Sequence, residues 1–183
     1  MKVSREQMAE NRSRILEKAA QLFRDRGFDA VSVAEVMKAA GLTHGGFYGH
    51  FASKDDLIAQ TVAHALTEGR TMPQGFEAFL AAYLSSSHRD TAATGCPTAA
   101  LAADARRQTP EARAAMTAGV GAQIARLSEA LAHEGAPDAR QAAIGSWSAA
   151  VGAMILARAV DDPALSDEIL DQTRRWISAA LQT

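Results

Sequence analysis

Two sets of side chains in this sequence have the types and spacing to do chemistry. The first is Thr43, His44, Tyr48, His50 and Lys54, with Gly45 and Gly46 among them and Ser32 upstream. Hydroxyls, imidazoles, a phenol and an ammonium are the donors that meet phosphate oxygens and base edges in a nucleic-acid duplex. The second is Cys96, the one cysteine of the chain, set between Gly95 and Pro97. Either a following helix N-terminus activates its thiol toward electrophiles and oxidants, or it is a small buried residue packing a helix start. The histidines further along, His64, His88 and His133, are far apart and form no metal-ligand cluster. No serine–histidine–acid spacing, phosphate loop or dinucleotide fingerprint is present. No catalytic residue, metal or cofactor is therefore expected, and the chain does not read as an enzyme. A single cysteine also excludes an intramolecular disulfide framework and a cysteine-rich zinc site.

The first set is positioned by short helices whose boundaries are written locally. Ser32 is placed to cap a helix beginning at Val33, and Glu35 completes a capping box. Val33, Val36, Met37 and Ala40 recur at helical spacing, and Gly41 stops the helix. Leu42 is expected to tuck inward and Thr43 to cap a second helix from His44. On that helix Phe47 and Phe51 lie four apart and face a core, which turns His44 and Tyr48 outward. Ser53 caps a further helix, with Lys54 in its first turn and Asp56 at the capping-box position. Upstream, residues 11–27 predict a supporting helix with an apolar stripe of Ile15, Leu16, Ala19, Leu22 and Phe23. Helix, glycine turn and second helix make either an ordinary helical hairpin or, the favoured reading, a helix-turn-helix, whose second helix enters the major groove N-terminus first.

The run ILEKAAQLFRDRGFDAVSVAEVMKAAGLTHGGFYGHFASKDDL, residues 15–57, resembles the tetracycline-repressor (TetR) family of transcriptional regulators. It covers about the first third of the chain. The rest is similar to that family in length and helical character, and Gly95-Cys96-Pro97 resembles one subgroup's second domain. The resemblance implies an all-α protein: a three-helix DNA-binding domain at 1–54, then a helical effector-binding and dimerisation domain at 55–183. It also implies that Lys54 holds a phosphate at its helix N-terminus and that the helix from His44 reads bases; a solvated surface lysine is the alternative for Lys54. Gly45 and Gly49 depart from the common family pattern, where longer or polar side chains are frequent. Gly45 and Gly46 either let the backbone approach the DNA closely or mark a frayed helix start. Arg5 and Arg12 are expected to reach the DNA backbone from the N-terminal arm, and Ser32, Thr43, Tyr48 and His50 to meet phosphates.

Charge supports that division. The whole chain carries a formal charge of −2, yet residues 1–54 hold nine Lys+Arg against six Asp+Glu, and residues 55–183 ten against fifteen. A basic end on an acidic body is expected where one end meets phosphates. Beyond residue 54, helices are expected at about 55–69, 76–86, 98–107, 110–134, 138–160 and 165–181, with breaks at 71–75 and 135–137 and a polar loop at 88–94. No hydrophobic run reads as long enough to span a bilayer, and residues 1–6 carry no signal-peptide pattern, so a cytoplasmic protein without a membrane partner is expected.

The family resemblance implies a cavity for an unknown small-molecule effector, for which Phe76, Phe79, Tyr83, Cys96, Met116, Val120, Trp147 and Met154 are candidates; each is equally at home in plain core. Ile144, Trp147, Val151, Met154 and Ile155 on one C-terminal helix, and Ile169, Leu170, Trp176 and Ile177 on the other, serve either the subunit's own core or a homodimer through both helices. The function expected from this is a ligand-responsive regulator, chiefly a repressor, bound as a dimer to a near-palindromic operator in double-stranded DNA and released by an effector. The alternatives are a redox- or electrophile-sensing regulator using Cys96 and, further off, a thiol-dependent enzyme or ligand binder.

Overall fold

Helix boundaries follow the capping chemistry closely over most of the chain. A computed structural model describes residues 4–67 and 75–181, all helix and connecting turns, with no strand among the described residues. The helices are α1 (Arg5–Arg26), α2 (Val33–Ala39), α3 (Lys54–Thr67), α4 (Phe76–Tyr83), α5 (Ser86–Asp90), α6 (Pro97–Ala105), α7 (Pro110–His133), α8 (Ala139–Ala159) and α9 (Pro163–Ala180). Short 3₁₀ segments lie at His44–Gly49 and Ala92–Thr94. Residues 71–74 of the expected break at 71–75, and the expected end of α3 near Gly69, lie outside the described residues.

The chain divides into two compact units, residues 1–68 with 100–119, and residues 69–99 with 120–183; the division falls inside α6 and α7. In the first unit α1 packs along α3 and against α2. Ile15, Ala19 and Phe23 of α1 are buried together with Phe28, Val31, Val36, Met37, Phe47, Phe51, Leu57 and Val62. Phe28 meets Phe23 edge-on, with ring centroids 5.3 Å apart. Gly119 belongs to this unit too: a Cβ there would lie 2.5 Å from the Cβ of Leu66, so α7 passes α3 where a side chain is missing.

In the second unit α8 and α9 pack along each other, joined by a three-residue link that makes them antiparallel neighbours. Asp162 caps α9 by accepting from Ala164 and Leu165 N–H groups, and Pro163 sits at the first helical position. The core joins Phe76, Leu80 and Tyr83 of α4 to Trp147 and Met154 of α8 and Leu170 and Ile177 of α9. By length and composition α8 could cross a bilayer, which corrects the sequence reading that no run is long enough. Its burial pattern is that of a core helix: Ala143, Trp147, Ala150, Met154 and Ala157 face inward at three- and four-residue steps.

Four further expectations need correction. α1 begins at Arg5, not near residue 11, because Ser4 caps it by accepting from the Gln7 N–H at 3.0 Å. The polar stretch 88–94 is no loop: Ser85 caps α5, and Arg158 of α8 donates to the carbonyls of His88 and Arg89. α4 stops at Tyr83 rather than running to residue 86. Leu42 is only half-buried.

Candidate nucleic-acid interface

α2 is built as its residues dictate. The Ser32 Oγ accepts from the Glu35 N–H at 3.2 Å, and the Glu35 carboxylate accepts from the Ser32 N–H at 2.9 Å and from its hydroxyl at 2.8 Å. Those two hydrogen bonds, together with one from Arg26, hold the Glu35 carboxyl at about 2, well below its ordinary value. At the other end Gly41 has φ +70°, a conformation that glycine adopts without the clash a Cβ brings. The Leu42 N–H returns to the Met37 carbonyl at 2.9 Å and completes the turn.

The segment after the turn differs from expectation. His44–Gly49 forms a 3₁₀ helix, not an α-helix, and Thr43 makes no capping hydrogen bond. Three glycines in six residues explain this, since each costs helix stability that no local cap restores. The segment is held from beneath. Phe47 and Phe51 are buried and stack with centroids 5.7 Å apart, and Phe47 carries Tyr48 edge-on at 5.2 Å. Tyr48 is 72% exposed. Thr43, His44, Gly45 and Gly46 are also exposed and adjoin Tyr48 on one segment. The glycines leave a cleft of about 290 Å³ against Met8, Asn11 and Met37.

The other expected contact residues are placed less freely. The Ser32 hydroxyl proton is directed at Glu35, so donation to a phosphate requires turning it away from that carboxylate. His50 is half-buried, and burial first, then the Arg12 charge, push its pKa below the ordinary value. Lys54 opens α3 and is half-buried. The Asp56 carboxylate already accepts from the Ala52 N–H at 2.9 Å, and the Asp56 N–H donates to Ser53 at 3.1 Å. Asp56 therefore reaches one residue further back than a standard capping box.

Arg12 is the participant that sequence reasoning misplaced. It does not extend toward solvent. Its guanidinium donates to the His50 carbonyl and to Gln60 Oε1, and lies 4.6 Å above the Phe51 ring. Nothing in the spacing of residues 12, 50 and 60 signals that meeting; only the packing of α1 on α3 creates it.

Residues 15–61 match the family model described as "Bacterial regulatory proteins, tetR family". That stretch, about a quarter of the chain, is TetR-like in sequence. It is 39% identical over 57 residues to the HTH-type transcriptional regulator AcrR of Shigella flexneri, a stretch that is 31% of this chain and 26% of that protein. It is 36% identical over 56 residues to the HTH-type transcriptional repressor KstR2 of Mycolicibacterium smegmatis, 31% of this chain and 27% of that one. These matches span about a quarter of the relatives' own length. The whole fold is shared more widely. A TetR-family transcriptional regulator from Cytophaga hutchinsonii superposes with a TM-score of 0.76 at 20% identity, covering 98% of both chains. Reduced NemR of E. coli superposes at 0.71 and 24% identity, covering 92% of this chain and 95% of that one. The helix-turn-helix is thus matched in sequence, and the remainder in fold alone.

The expected effector-site residues do not form one group. Phe76, Tyr83, Cys96, Trp147 and Met154 are buried in the core of the second unit, with Phe79 packed against them. Phe79, Tyr83 and Trp147 make a ring cluster with centroids 5.0 to 6.1 Å apart. Met116 belongs to the first unit, and Val120 opens the second unit's part of α7, half-buried. Cys96 is 1% exposed, and its N–H donates to His88 Nε2 at 3.0 Å, which is the packing reading and not that of an open thiol.

Proposed function

We propose that this protein is a cytoplasmic transcriptional repressor that binds double-stranded operator DNA as a homodimer and is released by a small-molecule effector. The observation that carries the reading is the exposed edge of residues 43–48, presented by a helix-turn-helix whose aromatic underside is buried. Thr43, His44 and Tyr48 offer donors to base edges and phosphates, while Gly45 and Gly46 allow close backbone approach. Lys54 supplies a phosphate contact by its ammonium; with Asp55 and Asp56 in the first turn of α3, the helix N-terminus adds little. With few side chains able to pair bidentately, specificity leans on thymine methyls and DNA shape.

Dimerisation through α8 and α9 is supported by their outward apolar residues. Ile144, Ile155, Leu156, Leu165 and Trp176 are each at least 42% exposed, and a Cβ added at Gly145 or Gly152 would meet nothing within 4 Å. A four-helix interface between two copies would cover them and set two reading segments about 34–36 Å apart on a near-palindromic site. Residues 1–54 then act as the DNA-binding part and 55–183 as the effector and dimer part. The ring cluster of Phe79, Tyr83 and Trp147 is the favoured wall of the effector site. Effector binding shifts α3 and changes the separation of the reading segments, lowering operator affinity by stabilising one of two conformations.

Fragments of genomic DNA captured by the purified protein and sequenced test this reading. The expected result is enrichment of a few inverted-repeat sites, bound by dimers in a mobility-shift assay. Uniform recovery of the genome would mean a non-specific DNA-packaging role instead.

A further inference from the structure

The reading segment lacks the usual means of holding its own shape. It is a 3₁₀ helix with three glycines and no side-chain cap, bordered by a cleft. Something outside it must fix its C-terminal end, and the polar cluster around Arg12 is built for that. One guanidinium nitrogen donates to the carbonyl of His50, the residue that ends the segment, and another to Gln60 Oε1 on α3. Gln60 Nε2 donates to Asp56 Oδ1 at 2.6 Å, and Asp56 Oδ2 accepts from the Ala52 N–H at 2.9 Å. Phe51, stacked on Phe47, supplies the flat face on which the guanidinium rests.

We propose that Arg12 is a positioning residue for DNA reading: it clamps the end of the 43–50 segment and sets the pitch at which Thr43, His44 and Tyr48 meet the duplex. The inference rests on the DNA-binding reading above. A planar fork that bonds two acceptors and lies on a ring cannot be replaced by an ammonium, which is a point charge with different geometry. A cation at the carbonyl end of a helical segment also complements its dipole. Arg12 therefore acts from behind the interface and neutralises no phosphate.

That last property makes the inference testable against the phosphate contact that the sequence suggests. Fluorescent duplexes isolated from a random pool by the wild-type protein, and an unselected random duplex, are titrated with wild type, Arg12→Met and Arg12→Lys across a salt series. Thermal melting of each variant is followed in parallel. The expected result is that both variants melt cooperatively and lose about tenfold or more in affinity for the selected duplexes, comparable to one mismatched base pair. Affinity for the random duplex and the log–log salt slope stay at wild-type values. A slope smaller by about 1.8 in Arg12→Met, one phosphate lost per subunit of the dimer, with both duplexes weakened alike and Arg12→Lys close to wild type, would make Arg12 a phosphate contact and overturn the clamp. Unchanged affinity in both variants would overturn it too. If Arg12→Met does not fold, Arg12→Lys decides alone, since a phosphate contact survives that change and the clamp does not. A wild-type protein that enriches no duplex would instead sink the DNA-binding reading, a distinct outcome.

Discussion

The two halves of the helix-turn-helix are stabilised in opposite ways. α2 carries its own instructions: a complete capping box at one end and a glycine stop at the other. The segment His44–Gly49 carries almost none, and depends on Phe47 and Phe51 below it and on Arg12 behind it. The supporting half is fixed by neighbours in sequence, the reading half by neighbours in space. The segment whose donors are exposed is the one that carries the fewest local helix signals.

Removing what lies under the reading half should have the largest effect. Phe47→Ala deletes a ring that is 1% exposed, and a loss of about 3–5 kcal/mol is expected in urea unfolding of the first unit. A loss no greater than that of a surface change would show that the segment stands without its aromatic base.

Next in size is a direct comparison of the two cap positions. Ser32→Ala should lower stability by about 1 kcal/mol, because its hydroxyl caps α2. Thr43→Ala, at a position that makes no capping hydrogen bond, should stay within about 0.5 kcal/mol of wild type. Equal losses in chemical denaturation would erase the contrast between the halves.

The smallest effect concerns acid. The Glu35 carboxyl is held at about 2 from an ordinary 4.5, by the Ser32 N–H first, then by the Ser32 hydroxyl and Arg26. A carboxylate lowered in the folded state contributes fully above its unfolded value, and the contribution fades as pH falls toward the folded value. Wild type should therefore exceed Glu35→Gln in stability at neutral pH, with the gap closing between pH 4.5 and about 2. A gap that stays constant over that window would show the carboxylate to be uncoupled from the α2 cap.

What the sequence disclosed follows the same contrast. Ser32, Glu35, Gly41 and the Phe47–Phe51 spacing announce α2, the turn and the buried underside, because each is a local signal. The long amphipathic runs of α7, α8 and α9 were legible through their apolar periodicity. α5 was not, since its polar residues are held by Ser85 locally and by Arg158 from α8, about seventy residues away. Periodicity also grouped Ile144 and Ile155 with Trp147 and Met154 on one face; only packing against α9 sends the second pair inside and leaves the first pair out. Met116 was grouped with Tyr83 and Trp147 because all are large and apolar, a property that says nothing of which compact unit receives them. Arg12 was assigned to the DNA backbone because a basic residue ahead of the apolar stripe gives no hint that a carbonyl and an aromatic face await it.

The central claim is that the exposed edge of residues 43–48 meets duplex DNA. Amide and side-chain NMR shifts of the isotopically labelled protein, followed while a duplex selected by that protein is added, test it most directly. The largest perturbations should fall on Thr43, His44, Gly45, Gly46, Tyr48 and Lys54, with α8 and α9 little changed. Perturbations centred elsewhere, with that edge silent at saturation, would contradict the account.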